Sequence, residues 1–229
     1  MLINRYICIM TKTQKTAIAI VFGIFVIVTG IILSIHHFDN KDNATSLYSK
    51  LKQGDIIFHT SQSTQSRAIQ LATDSRYSHM GMIYKKGDKI YVFEAVQPVR
   101  LTPLSQWIKR GKDEHFVIKR LKHATKILTP GLKQKMKDLG TQHLGKDYDR
   151  FFEWSDEKMY CSEVVWKIYK KATGVEIGQL EKLKDFNISH PLVKKKLRER
   201  YGHKIPYDEK VISPTTIFQS KKLKTVLQN

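Results

Sequence analysis

The chain is 229 residues long, 41% hydrophobic and 10% aromatic, which is enough to bury one domain's core and excludes wholesale disorder. Twelve glycines and six prolines exclude a collagen-like or low-complexity chain, and two cysteines exclude a disulfide scaffold. Lysine and arginine number 40 against 21 acidic residues, a formal charge of +19 that asks for an explanation.

The first element lies at Ala17 to Ile35, AIAIVFGIFVIVTGIILSI, 19 residues without a charge. About 20 apolar residues cross a bilayer's hydrocarbon core, so the run predicts one transmembrane helix rather than a buried core helix. Arg5, Lys12 and Lys15 precede it, while Asp39 and Asp42 outnumber Lys41 beyond it. By the positive-inside rule the rest of the chain is exported. No A-x-A-like site and no cysteine follow closely, which favours an uncleaved signal anchor. The expected organisation is a basic cytoplasmic segment over 1–16, a span over 17–35, a stalk over 36–50 and one domain over 51–229. That places the protein in the cytoplasmic membrane, single-pass, with its domain on the extracytoplasmic side. Four basic and two acidic residues precede Ser46, so the remainder still carries +17.

The domain's elements follow from periodicity. GDIIF at Gly54 to Phe58 reads as a strand, and Ser66 to Thr73 has mostly helical spacing of Ala68, Ile69, Leu71 and Ala72. HMGMIY from His79 and IYVFEA from Ile90 flank KKGDK, whose Gly-Asp suits a hairpin turn. Val99 to Leu101 extends that sheet, Trp107 sits on a short helical piece, and His115 to Leu121 is another strand. Helices follow: one from Pro130 towards Gly140, one from Cys161 to Ala172 stopped by Gly174, and a basic amphipathic one from Pro191 to Tyr201. Strands first and helices mostly after give an α+β fold with the large helix on an antiparallel sheet.

Three residues of this pattern carry chemistry. Cys161 begins a helix, where the positive end of the dipole and free amides stabilise a thiolate and an oxyanion. With Cys8 before the span it is the exported domain's only cysteine, either buried and inert or kept for chemistry. A thiolate nucleophile needs an imidazole. His79 opens a core strand, where a polar group needs a partner, and Glu94 ends the strand paired with it. An antiparallel hairpin brings the two near one another, and a carboxylate there fixes the imidazole tautomer and favours its charged form.

With LKQGDIIF, ATDSRYSHMGMIY, YVFEAVQPVRLTPLSQWI and YCSEVVWKIYKKATG, the sequence resembles the circularly permuted papain-like hydrolases of the NlpC type, within them the YiiX-like group. The resemblance runs from about Leu51 to Gly178, with a tail in VISPTTIFQSKKLKTV. It implies a permuted papain-like fold with Cys161 as nucleophile, His79 as general base and Glu94 as the residue orienting the imidazole. Tyr160 matches a position found near the oxyanion site. Ser162 and Glu163 belong to the same motif and serve the helix start.

No cofactor is expected. Cysteines and histidines lack zinc spacing, Asp147 and Asp149 lack a twelve-residue calcium loop, and no Gly-rich phosphate loop occurs. The basic helix KKKLRER is either a solvated face or a binder of anionic lipid head groups or envelope polymers; nucleic acid is not expected outside a membrane. The resulting expectation is a membrane-anchored cysteine hydrolase of a bacterial cell envelope that cleaves an amide through a thioester, in a cell-wall peptide or an N-acyl amino acid. Its rivals are a lipid ester hydrolase or acyltransferase on the same fold, and a non-catalytic basic envelope-binding module.

Overall fold

The computed structural model describes residues 21–22, 24–29 and 49–229. Of the run expected to span a membrane, the described residues are helical, but among the described residues no helix is long and apolar enough to cross one. The expected span over 17–35, and with it the single-pass membrane placement, is corrected accordingly. The segments expected over 1–16 and 36–48 lie outside the described residues.

Residues 51–229 form one compact unit. Its strands are β1 (Ile56–Ser61), β2 (His79–Lys86), β3 (Lys89–Glu94), β4 (Arg100–Pro103), β5 (Gly111–Leu121), the short β6 (Glu181–Lys182) and β7 (Lys210–Val211), and β8 (Leu223–Gln228). Six of them make one antiparallel sheet in the order β4-β3-β2-β1-β5-β8, and β6 pairs with β7 apart from it. The helices are α1 (Ser66–Thr73), α2 (Leu104–Lys109), α3 (Ala124–Ile127), α4 (Pro130–His143), α5 (Cys161–Thr173), α6 (Pro191–Tyr201) and α7 (Pro214–Phe218).

Helix α5 packs on β2 and β3, and α4 packs on α5. Val164, Val165, Ile168 and Tyr169 meet Phe58, Met80, Met82 and Phe93 in one buried cluster, which is the helical period of α5 set against the alternate residues of the strands. Burying each such side chain contributes about 1.5 to 3 kcal/mol. Gly81 keeps the sheet close there: a Cβ would stand 2.3 Å from Val92 Cγ1. Helix α5 ends at Gly174, whose φ of 73° is left-handed backbone that glycine adopts without a Cβ clash. Two polar ties fasten the far end of the sheet. Asp55, 1% exposed, receives Arg120 Nε at 2.6 Å and Nη2 at 2.7 Å, and the Tyr169 hydroxyl donates to the Gly54 carbonyl.

Candidate active site

Cys161 is the first residue of α5 and is buried. Tyr160 before it is extended, at φ −108° and ψ 165°, so the chain enters the helix with the amides of its first turn free of intrahelical partners. Glu163 Oε2 accepts from the Tyr160 amide at 3.3 Å, one half of a capping arrangement. Its other oxygen pairs with Lys167 at 2.8 Å. Burial raises the Glu163 carboxyl to about 7 against the pull of Lys167. Both neighbours of the cysteine are moored to one residue of a later segment: the Tyr160 hydroxyl accepts from Ile212 N at 3.1 Å, and Ser162 Oγ donates to the Ile212 carbonyl at 2.7 Å. The Tyr160 oxygen, at the position that the resemblance places near the oxyanion site, thus also helps to hold the helix start.

His79 and Glu94 lie together, with Nε2 2.7 Å from Oε2. The hairpin register places Met82 opposite Phe93, so Glu94 falls across from Gly81, two residues from His79 on the same face. The contact is a diagonal one, reached by the length of the glutamate. His79's direct cross-strand partner is His59 on β1. Glu94 is fully buried and saturated: Thr102 Oγ1 donates to Oε1 at 2.5 Å, Trp107 Nε1 donates to Oε2 at 2.9 Å, and Arg110 Nη2 donates to Oε1. Burial alone would raise this carboxyl, but His79, Arg110 and Thr102 bring it down to about 2. Burial likewise lowers His79, yet hydrogen bonds to Cys161 and Glu94, and the charges of both, raise it to about 9. With Nε2 on Glu94, Nδ1 is the ring nitrogen left for the thiol.

Beside this pair stands a second imidazole of opposite character. The His59 ring stacks on Trp107 at 3.9 Å between centroids and lies 5.3 Å from the His79 ring. Burial, then the charges of His79 and Arg110, hold it neutral, down at about 2. Trp107 thus supports His59 with its face and Glu94 with its N–H.

Two cavities meet at the site. One, a solvent-open hollow of about 820 Å³, is almost wholly apolar; Ala68, Ile69, Phe152, Leu197 and Ile212 are among its walls, and Cys161 lies in it. The other is a polar cleft of about 1630 Å³ that includes His79. Gln65, Ile69 and Tyr148 line both. The Tyr148 hydroxyl accepts from Gln65 Nε2 at 3.0 Å, and Gln65 Oε1 accepts from Arg200 Nη2 at 2.8 Å. Burial first, then the charge of Cys161, pushes the Tyr148 hydroxyl above its ordinary value, so it stays a proton donor close to the sulfur.

The structure brings Cys161, His79 and Glu94 together, with Tyr160 adjacent but turned to Ile212. Sequence reasoning missed Tyr148, His59, Thr102, Trp107 and Arg110. Tyr148 sat in GKDYDR, where the two aspartates drew the eye to calcium. Trp107 and Arg110 are three apart, one helical turn, and that spacing beside a buried acid was the available signal.

An antiparallel sheet whose strands carry the histidine and the acid, followed by a helix that opens on the cysteine, defines the permuted papain-like class of cysteine hydrolases. Residues 50–227 match the family described as permuted papain-like amidase enzyme, YaeF/YiiX, C92, and the chain belongs to it. Membership makes it a cysteine amidase- or peptidase-type enzyme. It is 49% identical over 173 residues to the uncharacterized protein YiiX of Escherichia coli K12, covering 76% of this chain and 84% of that one. A crystal structure described as that of the metalloprotein yiiX from Escherichia coli O157:H7 is similar at a TM-score of 0.75 and 48% identity, covering 79% of this chain and 98% of that one.

Proposed function

We propose that this protein hydrolyses the amide bond of N-acyl compounds, holding the acyl part in the apolar cavity and the amine part in the polar cleft. The observation that carries the reading is the meeting of those two unlike cavities at Cys161 and His79. The amide, rather than an ester, rests on the family's description.

The steps follow from the charges. His79, raised to about 9, is an imidazolium at neutral pH that donates Nε2–H to Glu94 and Nδ1–H to the thiolate. The sulfur attacks the carbonyl carbon, and the C=O pair moves onto oxygen. That oxyanion receives the Tyr148 O–H and an amide of the α5 start, donors set in place before the reaction. On collapse, Nδ1 passes its proton to the leaving nitrogen, the C–N bond breaks and a thioester remains. Neutral His79 then takes a proton from water, the hydroxide attacks the thioester, and the acid leaves as the thiolate and imidazolium return. Glu94 keeps the ring in the tautomer that these transfers need.

The related structure is described as a metalloprotein. Among the described residues here no group of three or more His, Cys, Asp or Glu has an arrangement that would hold a metal ion, so no step is routed through one. The test is release of free amine from N-acyl amino acids of increasing chain length. Release should rise with chain length until the cavity is full and vanish in Cys161→Ala, with a thioester seen by mass after acid quench. Cleavage of unacylated peptides with no release from acylated ones would overturn the reading.

A further inference from the structure

We infer that the polar cleft is a subsite for an anionic group on the amine half of the substrate, with Arg150 as the residue that selects it. The inference rests on the proposed hydrolase reading, which puts the leaving group in that cleft. Among the cleft's lining residues there is no aspartate or glutamate; Ser61, Ser63, Thr64 and Gln97 supply neutral polar groups, and the permanent charges are Arg110 and Arg150. Arg110 is spent on Glu94. His79, also in the wall, pairs with the same Glu94 carboxylate at 2.7 Å. Arg150 is exposed and, among the described residues, has no hydrogen bond or ion pair, so it is the cleft's uncompensated cation.

The neighbouring acids do not cancel it. Asp149, 1% exposed, turns inward, with Oδ1 accepting from Phe151 N at 2.7 Å. Asp147 Oδ1 accepts from Gln97 Nε2 at 2.5 Å and is not in the cleft wall. These same bonds, with Tyr148 N on Gln97 Oε1 at 2.7 Å and Asp149 N on the Met159 carbonyl at 2.9 Å, fix the backbone on either side of Arg150. A planar guanidinium on a fixed base suits a carboxylate or phosphate, which it binds with two parallel N–H donors.

The experiment is calorimetric titration of the full chain carrying Cys161→Ala, which binds without turnover. The probes are N-dodecanoylglycine, its neutral counterpart N-dodecanoylglycinamide, and N-dodecanoylphosphoethanolamine. The charged probes should bind about 10-fold more tightly than the neutral one, the scale of a charge-assisted hydrogen bond in a partly wet site. Whichever of carboxylate and phosphate binds more tightly identifies the source of the anion. Adding Arg150→Gln should bring the charged probes to the affinity of the neutral one, and Arg150→Lys should keep part of the preference. Equal affinities for all three probes, or a preference that survives Arg150→Gln, would overturn the subsite. The hydrolase reading fails separately, by an absence of Cys161-dependent amine release.

Discussion

Replacing Glu94 by glutamine perturbs the buried acid on which His79, Trp107, Thr102 and Arg110 converge. An amide of the same shape accepts at one end only. Its NH2 must therefore face either Arg110 and Thr102, or the N–H groups of His79 and Trp107. The fold lowers the Glu94 carboxyl from 4.5 to about 2, because His79 and Arg110 outweigh burial. That difference of about 2.5 pH units corresponds to about 3 kcal/mol. Arg110 is 38% exposed, so its share is screened by solvent, and about 2 to 3 kcal/mol of folding free energy is expected to be lost at pH 7. Because the folded value lies below the unfolded one, this stability is present above pH 4.5 and disappears as pH falls through about 2. The variant should lack that acid limb. His79 would also lose a charge that holds it near 9, and the alkaline limb of turnover should move down by about 1 to 3 pH units. Urea unfolding followed by circular dichroism from pH 2 to 8, with a pH–rate profile, measures both effects. An unfolding free energy within about 0.5 kcal/mol of the parent at pH 7, or an unmoved alkaline limb, would refute this account of the pair.

Three further outcomes are expected. Tyr148→Phe should lower kcat by about 100- to 1000-fold while iodoacetamide still alkylates Cys161, since it removes an oxyanion donor and leaves the nucleophile; unchanged kcat would remove Tyr148 from the chemistry. Asp55→Ala removes the buried carboxylate that pairs with Arg120, itself 15% exposed, and should cost about 3 to 5 kcal/mol in urea unfolding with no shift in the pH–rate profile of what stays folded. Gly81→Ala drives a methyl to 2.3 Å from Val92 Cγ1 and 2.7 Å from the Phe93 carbonyl, so thermal unfolding should show a loss of at least about 1 to 3 kcal/mol.

Much of this fold was legible because local and global signals agree. The Gly-Asp turn, the proline at the start of α4 and the glycines after α5 and α6 mark boundaries that the structure keeps. The hairpin reading brought His79 towards Glu94, but not the two-residue offset between them, because register is set by pairing that alternation alone does not number. His59 was invisible for a related reason: it falls just past the apolar run Ile56 to Phe58, and only the order of strands across the sheet puts it opposite His79. The partners of Glu94 come from β2, β4, α2 and the residue after α2, elements whose side-chain convergence no spacing rule predicts. The apolar run near the start is the converse, a strong compositional signal where, among the described residues, no helix is long and apolar enough to cross a membrane.

Cys161, His79 and Glu94 all precede residue 162, yet the mooring of the nucleophile's two neighbours comes from Ile212. A chain ending anywhere between residues 162 and 211 would hold all three groups and still leave the Tyr160 and Ser162 hydroxyls without this anchor. The start of α5 is therefore moored only in a chain that includes the segment following α6, folded back onto it.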